Sequence, residues 1–106
     1  MRFKRGDTFT FCFIRYNESG EVITDIPNNI IFEVKSDYNS ETLIKKELNK
    51  GIIFDKEDYI YTITIDADET NSLDFGAYVY GIEINIDGVI KTIKDGLLVL
   101  EKEVVH

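Results

Sequence analysis

The amino-acid sequence predicts an all-β protein built as an antiparallel β-sandwich, and three observations carry that prediction. Several segments alternate apolar and polar residues with the period of two that a half-buried strand requires. Aromatic and β-branched residues dominate these segments, and polar turn signals separate them at short intervals. Connections this short suit antiparallel pairs, so we expect two packed sheets with about seven strands and one short helical turn.

Length and charge limit the function classes that the chain can serve. A chain of 106 residues with no shift in composition is predicted to form a single domain over residues 1–106. Twenty acidic residues against twelve basic ones give a formal charge of −8, which repels phosphate backbones and anionic lipid surfaces. We therefore expect no nucleic-acid partner and no membrane partner.

The first predicted strand covers residues 7–16 and directs Phe9, Phe11 and Phe13 to one face, which we expect to face the core. Thr alternates with Phe in this run, and Arg15 ends it without a small-residue cleavage site. The run is therefore interpreted as a strand rather than as the apolar part of a signal peptide, and synthesis in the cytoplasm is expected. A short edge piece is predicted at residues 22–23.

The middle of the chain carries four further predicted strands, at 30–35, 42–48, 52–54 and 59–65. The pattern over 42–48 also fits helical spacing, since Leu43, Ile44 and Leu48 share one helical face, but we favour a strand. Residues 49–51 form a three-residue turn, so the segments on either side of it are predicted to be consecutive strands.

The last third of the chain is predicted to contain the helical turn and a long hairpin. Asp66 precedes Glu69 by three residues, which is the capping-box spacing at the start of a helix ending near residue 72. The dipeptide at 87–88 is Asp-Gly, the signal of a type I′ hairpin between strands at 78–86 and 89–100. Gly81 is predicted to mark a bulge or a close backbone approach, and residues 95–96 a second bulge.

The entry to the strand at 78–86 resembles the tyrosine corner of immunoglobulin and fibronectin-type sandwiches. In that motif a tyrosine hydroxyl bonds back to upstream backbone, and Leu73, Gly76 and Tyr78 match its pattern here. We therefore expect an immunoglobulin-like sandwich. The chain lacks the disulfide and the core Trp of immunoglobulins proper.

Four short motifs extend the likeness over nearly the whole chain: RGDT at 5–8, IFEVK at 31–35, IDADET at 65–70 and GAYVYGIE at 76–83. Their order resembles a family of small proteins of tailed phages and prophages, similar to the N-terminal domain of the upper baseplate protein of phages that infect Gram-positive bacteria. The resemblance implies a virion protein that contacts other virion proteins or copies of itself. Upper baseplate proteins continue into a longer C-terminal region.

The chain offers few groups for catalysis. His106 is the one histidine, and it follows the last predicted strand. Cys12 lies in mid-strand without a neighbouring cation to stabilise a thiolate, so we expect a small buried side chain rather than a nucleophile. We predict no enzyme activity and no cofactor.

Two acidic clusters and the tyrosines keep other binding functions open. The clusters at 55–58 and 66–74 contain oxygen ligands for Ca²⁺, but neither has the spacing of a calcium loop, so no metal site is assigned and calcium stays a minor alternative. Tyr38 lies in a polar loop and is expected at the surface as a contact residue. The sandwich and its six tyrosines together favour a carbohydrate-binding or adhesive module as the alternative to a virion assembly module.

Overall fold

The computed structural model describes residues 1–102 and confirms the all-β prediction, with 60% strand and 5% helix. The strands are β1 (Arg2–Lys4), β2 (Phe9–Ile14), β3 (Asn29–Lys35), β4 (Thr42–Leu48), β5 (Gly51–Asp55), β6 (Ile60–Ile65), β7 (Gly76–Ile86) and β8 (Val89–Glu101). One short helix, α1 (Ala67–Asn71), lies between β6 and β7. It is too short to cross a membrane, and no other helix within residues 1–102 is long and apolar enough to do so.

All eight strands belong to one mixed sheet with the order β1-β8-β7-β3-β4-β5-β6-β2. The sheet curls until its two edge strands, β1 and β2, approach each other, so the fold is nearly a closed barrel. The immunoglobulin-like sandwich arrangement stays a prediction. The expectation of purely antiparallel pairing is wrong, because β1 pairs with β8 and β4 pairs with β5 in parallel.

Alternating side chains of the central strands fill the interior, as their period-two pattern predicts. β3 alternates strictly between buried and half-buried residues, and β6 does the same. The fully buried side chains include Phe32, Tyr61, Ile63 and Leu98. The three phenylalanines of β2 pack against this core as half-buried residues, which confirms the predicted inward face of that strand.

The connection between β4 and β5 shows how a parallel pair forms without a long crossover. Asn49 adopts a φ of 68° and Gly51 a φ of 99°, both in the left-handed region that glycine and asparagine tolerate. The chain steps sideways by one strand position and continues in its former direction, and only Glu47 and Leu48 pair with β5. Residues 49–51 therefore separate consecutive strands, as predicted, without reversing the chain.

The β7–β8 hairpin has the predicted turn and a bulge at a different place. Asp87 and Gly88 both have positive φ, at 51° and 86°, as a type I′ turn requires. The register shifts opposite Ile82, where Ile93 is the extra residue of β8. Gly81 has open space at its Cβ position, so it is not a close-approach site, whereas a Cβ on Gly96 would lie 3.3 Å from the Tyr80 ring.

Two short elements differ from the sequence-based expectation. β1 was not expected, because three residues with the alternation Arg-Phe-Lys carry too little pattern to predict a strand. The edge piece expected at 22–23 is a single bridge between Tyr16 and Val22.

Candidate functional site

An opening in the sheet, which we call the seam, lies between β2 and the first half of β8. β1 pairs with β8 only from Val99 to Glu101, so within residues 1–102 no strand pairs with the outer edge of Val89–Lys94. β2 pairs with β6 on one side and likewise has no strand on its other side. Two unpaired strand edges therefore border the same opening.

The seam is open at one end only, because the chain crosses from β1 to β2 at the other. Gly6 adopts a φ of 86° and turns the chain away from β8 toward β6. The rings of Phe3 and Phe9 stack with their centroids 4.0 Å apart. This contact connects β1 to the start of β2. The first fourteen residues thus close the barrel at the level of β1 and leave it open along β2.

The segment between β1 and β2, residues 5–8, is called the crossing. It is hydrogen-bonded to α1 and the residues that follow it through the side chains of Arg5 and Thr70, for which the sequence predicted no such role. The buried Thr70 hydroxyl accepts the N–H of Gly6 at 3.0 Å and lies 3.1 Å from the carbonyl of Asp7. The Arg5 guanidinium donates to the carbonyls of Leu73 and Asn71 at the end of the helix. Such bonds cannot be recognised from local sequence, because the partners lie more than sixty positions apart.

The seam contains a groove of about 680 Å³, within the size range of ligand and peptide sites. Its walls are mainly apolar and come from both edges. The apolar lining residues are Phe11, Phe13, Ile14, Ile23, Ile82, Ile84, Ile86, Val89 and Ile93. Several of them are exposed, among them Val89 at 59%, which is unusual for large apolar side chains gathered in one place.

Three cations line the same groove, namely Arg15, Lys91 and Lys94, and the lining includes no carboxylate. Lys91 pairs across the ladder with Ile84, and Lys94 pairs with Ile82. Directly opposite residues share one face of a sheet, so both lysines lie on the inward face with the two isoleucines. Across residues 1–102, neither lysine forms an ion pair.

The bulge explains how both lysines reach that face. Residues three apart in a regular strand point to opposite faces, because side chains alternate with a period of two. Ile93 is the extra residue between the pairs that hold Lys91 and Lys94, and it restores a common orientation. A sequence signal existed, since two lysines three apart inside a predicted strand break the alternation.

Backbone groups along the seam are oriented for strand addition. The type I′ turn joins Ile86 and Val89 as a hydrogen-bonded pair, and such pairs alternate with non-bonded pairs along an antiparallel ladder. The pairs that contain Ile90 and Thr92 are therefore the non-bonded ones. Their N–H and C=O groups point away from β7 and into the seam.

Cys12 also lines the groove, and the structure corrects the expectation that it is buried. Its side chain is exposed, on the face opposite the three phenylalanines, because β2 is an edge strand with no neighbour to cover it. The sulfur lies 3.5 Å from the Thr62 hydroxyl on β6.

The residues with predicted structural roles lie away from the seam. Asp66 caps α1, and Glu69 accepts the N–H of Asp66 at 3.1 Å to complete a capping box. Glu69 also pairs with Lys46, whose ammonium lies 2.5 Å from the carboxylate and is largely buried. The helix is thus tied to β4 as well as to the chain crossing.

Tyr78, Gly76 and Leu73 lie where β7 begins. The Tyr78 hydroxyl donates to the carbonyl of Asp74 at 2.7 Å, which is the kind of bond that a tyrosine corner makes to upstream backbone. Burial raises the pKa of this hydroxyl, and the negative charge of Asp74 raises it further. Gly76 has a φ of 147°, and Leu73 is half-buried against the core.

Tyr38 is 66% exposed and borders a shallow hollow of about 170 Å³ on the outer face of β3, β7 and β8. The carboxylates of Glu33, Glu83 and Asp95 line the same hollow. Asp37 organises the loop by accepting the N–H of Asn39 at 2.8 Å, and this bond lowers the pKa of the Asp37 carboxyl.

The acidic clusters and Cys12 do not assemble into a metal site within the described part of the chain. No three His, Cys, Asp or Glu side chains of residues 1–102 gather closely enough to hold a metal ion. His106 lies outside the described residues, so the structure says nothing about its position.

Comparison with known proteins adds no identification. No protein-family model matches the chain, and no curated protein matches it.

Proposed function

We propose that this chain is a non-enzymatic structural and assembly module of a tailed-phage or prophage virion, with an immunoglobulin-like fold, that binds other virion proteins. The observation that carries the proposal is the seam, where two unpaired strand edges border one apolar groove. Exposed edges of this kind are templates for pairing with another chain. The resemblance of the ordered motifs to small phage proteins supplies the baseplate or tail as the setting.

The composition of the seam supports binding rather than catalysis. Its polar side chains are mainly cations, and it combines large apolar residues with free backbone donors and acceptors. Apolar area with directed backbone bonds is what a protein interface requires.

The proposal is tested by measuring the solution mass of the purified protein by light scattering, alone and mixed with each virion protein encoded beside it. We expect a defined oligomer or a complex of fixed stoichiometry. A protein that stays monomeric across concentration and binds none of its co-encoded virion proteins would contradict the assembly function.

A carbohydrate-binding or adhesive module is the second candidate, and the hollow beside Tyr38 favours it. An exposed ring next to three carboxylates offers a stacking surface and hydrogen-bond acceptors for a sugar. Under this alternative, Tyr38→Ala abolishes binding in a glycan screen, whereas the control Tyr16→Ala, at a tyrosine that is also exposed but lies outside the hollow, leaves binding unchanged. A screen without hits removes the alternative.

A further inference from the structure

We propose that the seam is filled by an extended strand of a partner protein that carries apolar and acidic side chains together on its inward face. This inference rests on the assembly function proposed above and specifies the chemistry of the partner. Three properties of the seam lead to it, namely its backbone, its apolar walls and its charge.

The backbone edges favour a strand over any other occupant. β2 offers six residues along one side of the seam, and a strand of six residues is about 20 Å long. On the other side, Ile90 and Thr92 direct unpaired N–H and C=O groups inward. A strand between the two edges bonds to both, which completes the barrel with main-chain hydrogen bonds.

The apolar walls supply burial for apolar side chains on the inward face of such a strand. Phe11 and Phe13 of β2 line the groove together with Ile82 and Ile84 of β7. Side chains alternate between the two faces of a strand, so every second residue of the partner reaches this inward face.

The charge of the seam selects acidic residues for part of that same inward face, because Lys91 and Lys94 lie on it opposite Ile84 and Ile82. Arg15, Lys91 and Lys94 lie along the groove without a carboxylate among the lining residues, although the whole chain carries a net charge of −8. A local cluster of cations on an acidic protein favours carboxylates at this one place.

The same cations argue against a second copy of this chain in the seam. In a symmetric dimer the same patch meets itself, so the three cations of one copy would face those of the other. Charged side chains that point inward at a sheet edge are a common device against edge-to-edge pairing of like chains. The seam is therefore suited to a different chain.

The test uses a terminally blocked, fluorescein-labelled heptapeptide, Val-Thr-Glu-Thr-Val-Thr-Glu, whose valines and glutamates share one face, with binding measured by fluorescence anisotropy. The matched probe is Val-Thr-Lys-Thr-Val-Thr-Lys. The net charge of the protein favours the basic peptide, whereas the seam favours the acidic one, so the two explanations predict opposite orders of affinity. We expect the acidic peptide to bind at least about tenfold more tightly.

Variants place the binding in the seam. Lys91→Glu/Lys94→Glu is expected to weaken the acidic peptide about tenfold. Lys50→Glu/Lys56→Glu makes the same change in net charge at exposed turns outside the groove and is expected to leave the affinity within about twofold. N-methylation of the three threonines of the peptide, which removes backbone donors without changing charge, is expected to abolish binding.

Cys12 gives an independent measure of location, because it is the one cysteine and it lines the groove. Saturating peptide is expected to slow its alkylation by N-ethylmaleimide. Equal or tighter binding of the basic peptide, or binding that leaves alkylation unchanged, would overturn the inference. Binding of dodecanoate without binding of the peptide would also overturn it and assign the groove to an anionic amphiphile.

Failure of this test differs from failure of the assembly function. If the peptides do not bind but a co-encoded virion protein forms a complex of fixed stoichiometry, the assembly function stands and the strand in the seam is wrong. If neither binds, both are wrong.

Discussion

The crossing from β1 to β2 and the seam are two ends of one opening, and they are built in opposite ways. At the crossing, Thr70 and Arg5 bond backbone groups of the N-terminal segment to α1. Along the seam, β2 and the first half of β8 have no strand between them in the described structure. The difference teaches that closure here comes from hydrogen bonds between the N-terminal segment and one short helix, for which Arg5 of the segment and Thr70 of the helix supply the side chains.

The largest expected effect comes from breaking the crossing at Thr70. Thr70→Val keeps the shape of this fully buried side chain but leaves the Gly6 N–H without its acceptor. We expect the free energy of unfolding to fall by about 2–3 kcal/mol in urea titrations. Thr70→Ser keeps the hydroxyl and should cost only about 1 kcal/mol. Equal losses in the two variants would show that packing rather than the hydrogen bond fastens the crossing.

The second largest effect is expected from a substitution that disturbs the ion pair between Lys46 of β4 and Glu69 of α1. Gly51 has a φ of 99°, and a Cβ there would lie 2.4 Å from Cδ of Lys46, the partner of Glu69. Gly51→Ala should cost about 2 kcal/mol, since it combines backbone strain with displacement of Lys46. Gly20→Ala is the control, because Gly20 has a φ of 81° and open space around it. If Gly51→Ala and Gly20→Ala lower the free energy of unfolding by the same amount, the displacement of Lys46 does not contribute to the loss of stability.

A gain in stability is expected when the hydroxyl of Tyr61 is removed. Its ring stacks on Phe13 of β2 and on Phe54, while its buried hydroxyl has no hydrogen-bond partner. Tyr61→Phe keeps the stacking and removes the unsatisfied group, so the free energy of unfolding should rise by about 1 kcal/mol. A loss of stability on calorimetry would mean that the hydroxyl has a partner in solution.

Alkaline pH should weaken the start of β7 near the crossing. Burial raises the pKa of the Tyr78 and Tyr80 hydroxyls, with further contributions from the charges of Asp74 and Asp95. Because the folded-state pKa lies above the unfolded one, stability is complete below about pH 10 and is lost as pH rises toward the folded value.

Unfolding titrations between pH 9 and 11 measure this loss. Tyr78→Phe should be less stable than wild type at pH 7, since it lacks the bond to Asp74, yet lose less between pH 9 and 11. Tyr38→Phe removes an exposed hydroxyl and should follow the wild-type curve. If Tyr78→Phe loses as much stability between pH 9 and 11 as the wild type does, ionisation of Tyr78 is not the cause of the loss.

The smallest expected effect is at the seam itself. Ile90 is 63% exposed at the unpaired edge of β8. Ile90→Thr should change the free energy of unfolding by less than about 0.5 kcal/mol. If Ile90→Thr lowers the free energy of unfolding as much as Thr70→Val does, side chains along the seam contribute as much to stability as those at the crossing.

Local features of the sequence predicted most of the secondary structure. The Asp87-Gly88 turn, the inward phenylalanines of β2 and the helix after Asp66 depend on neighbouring residues, and each occurs as expected. These features follow from backbone preferences and side-chain alternation over a few positions.

The features that make the site depend on distant residues and were not predicted. β1 exists because Arg2–Lys4 lies beside β8, almost one hundred positions away. The parallel pair of β4 and β5 depends on a sideways step at Asn49 that a turn signal does not distinguish from a reversal. The inward face of Lys94 depends on a bulge two residues from the predicted one.

The exposed sulfur of Cys12 has a consequence for handling the protein. A chain with one thiol cannot form an internal disulfide, so air oxidation joins two molecules through β2. Such a covalent dimer mimics an assembled state on a sizing column. Mass measurements therefore need a reductant, and a dimer that disappears with dithiothreitol is a product of oxidation rather than of assembly.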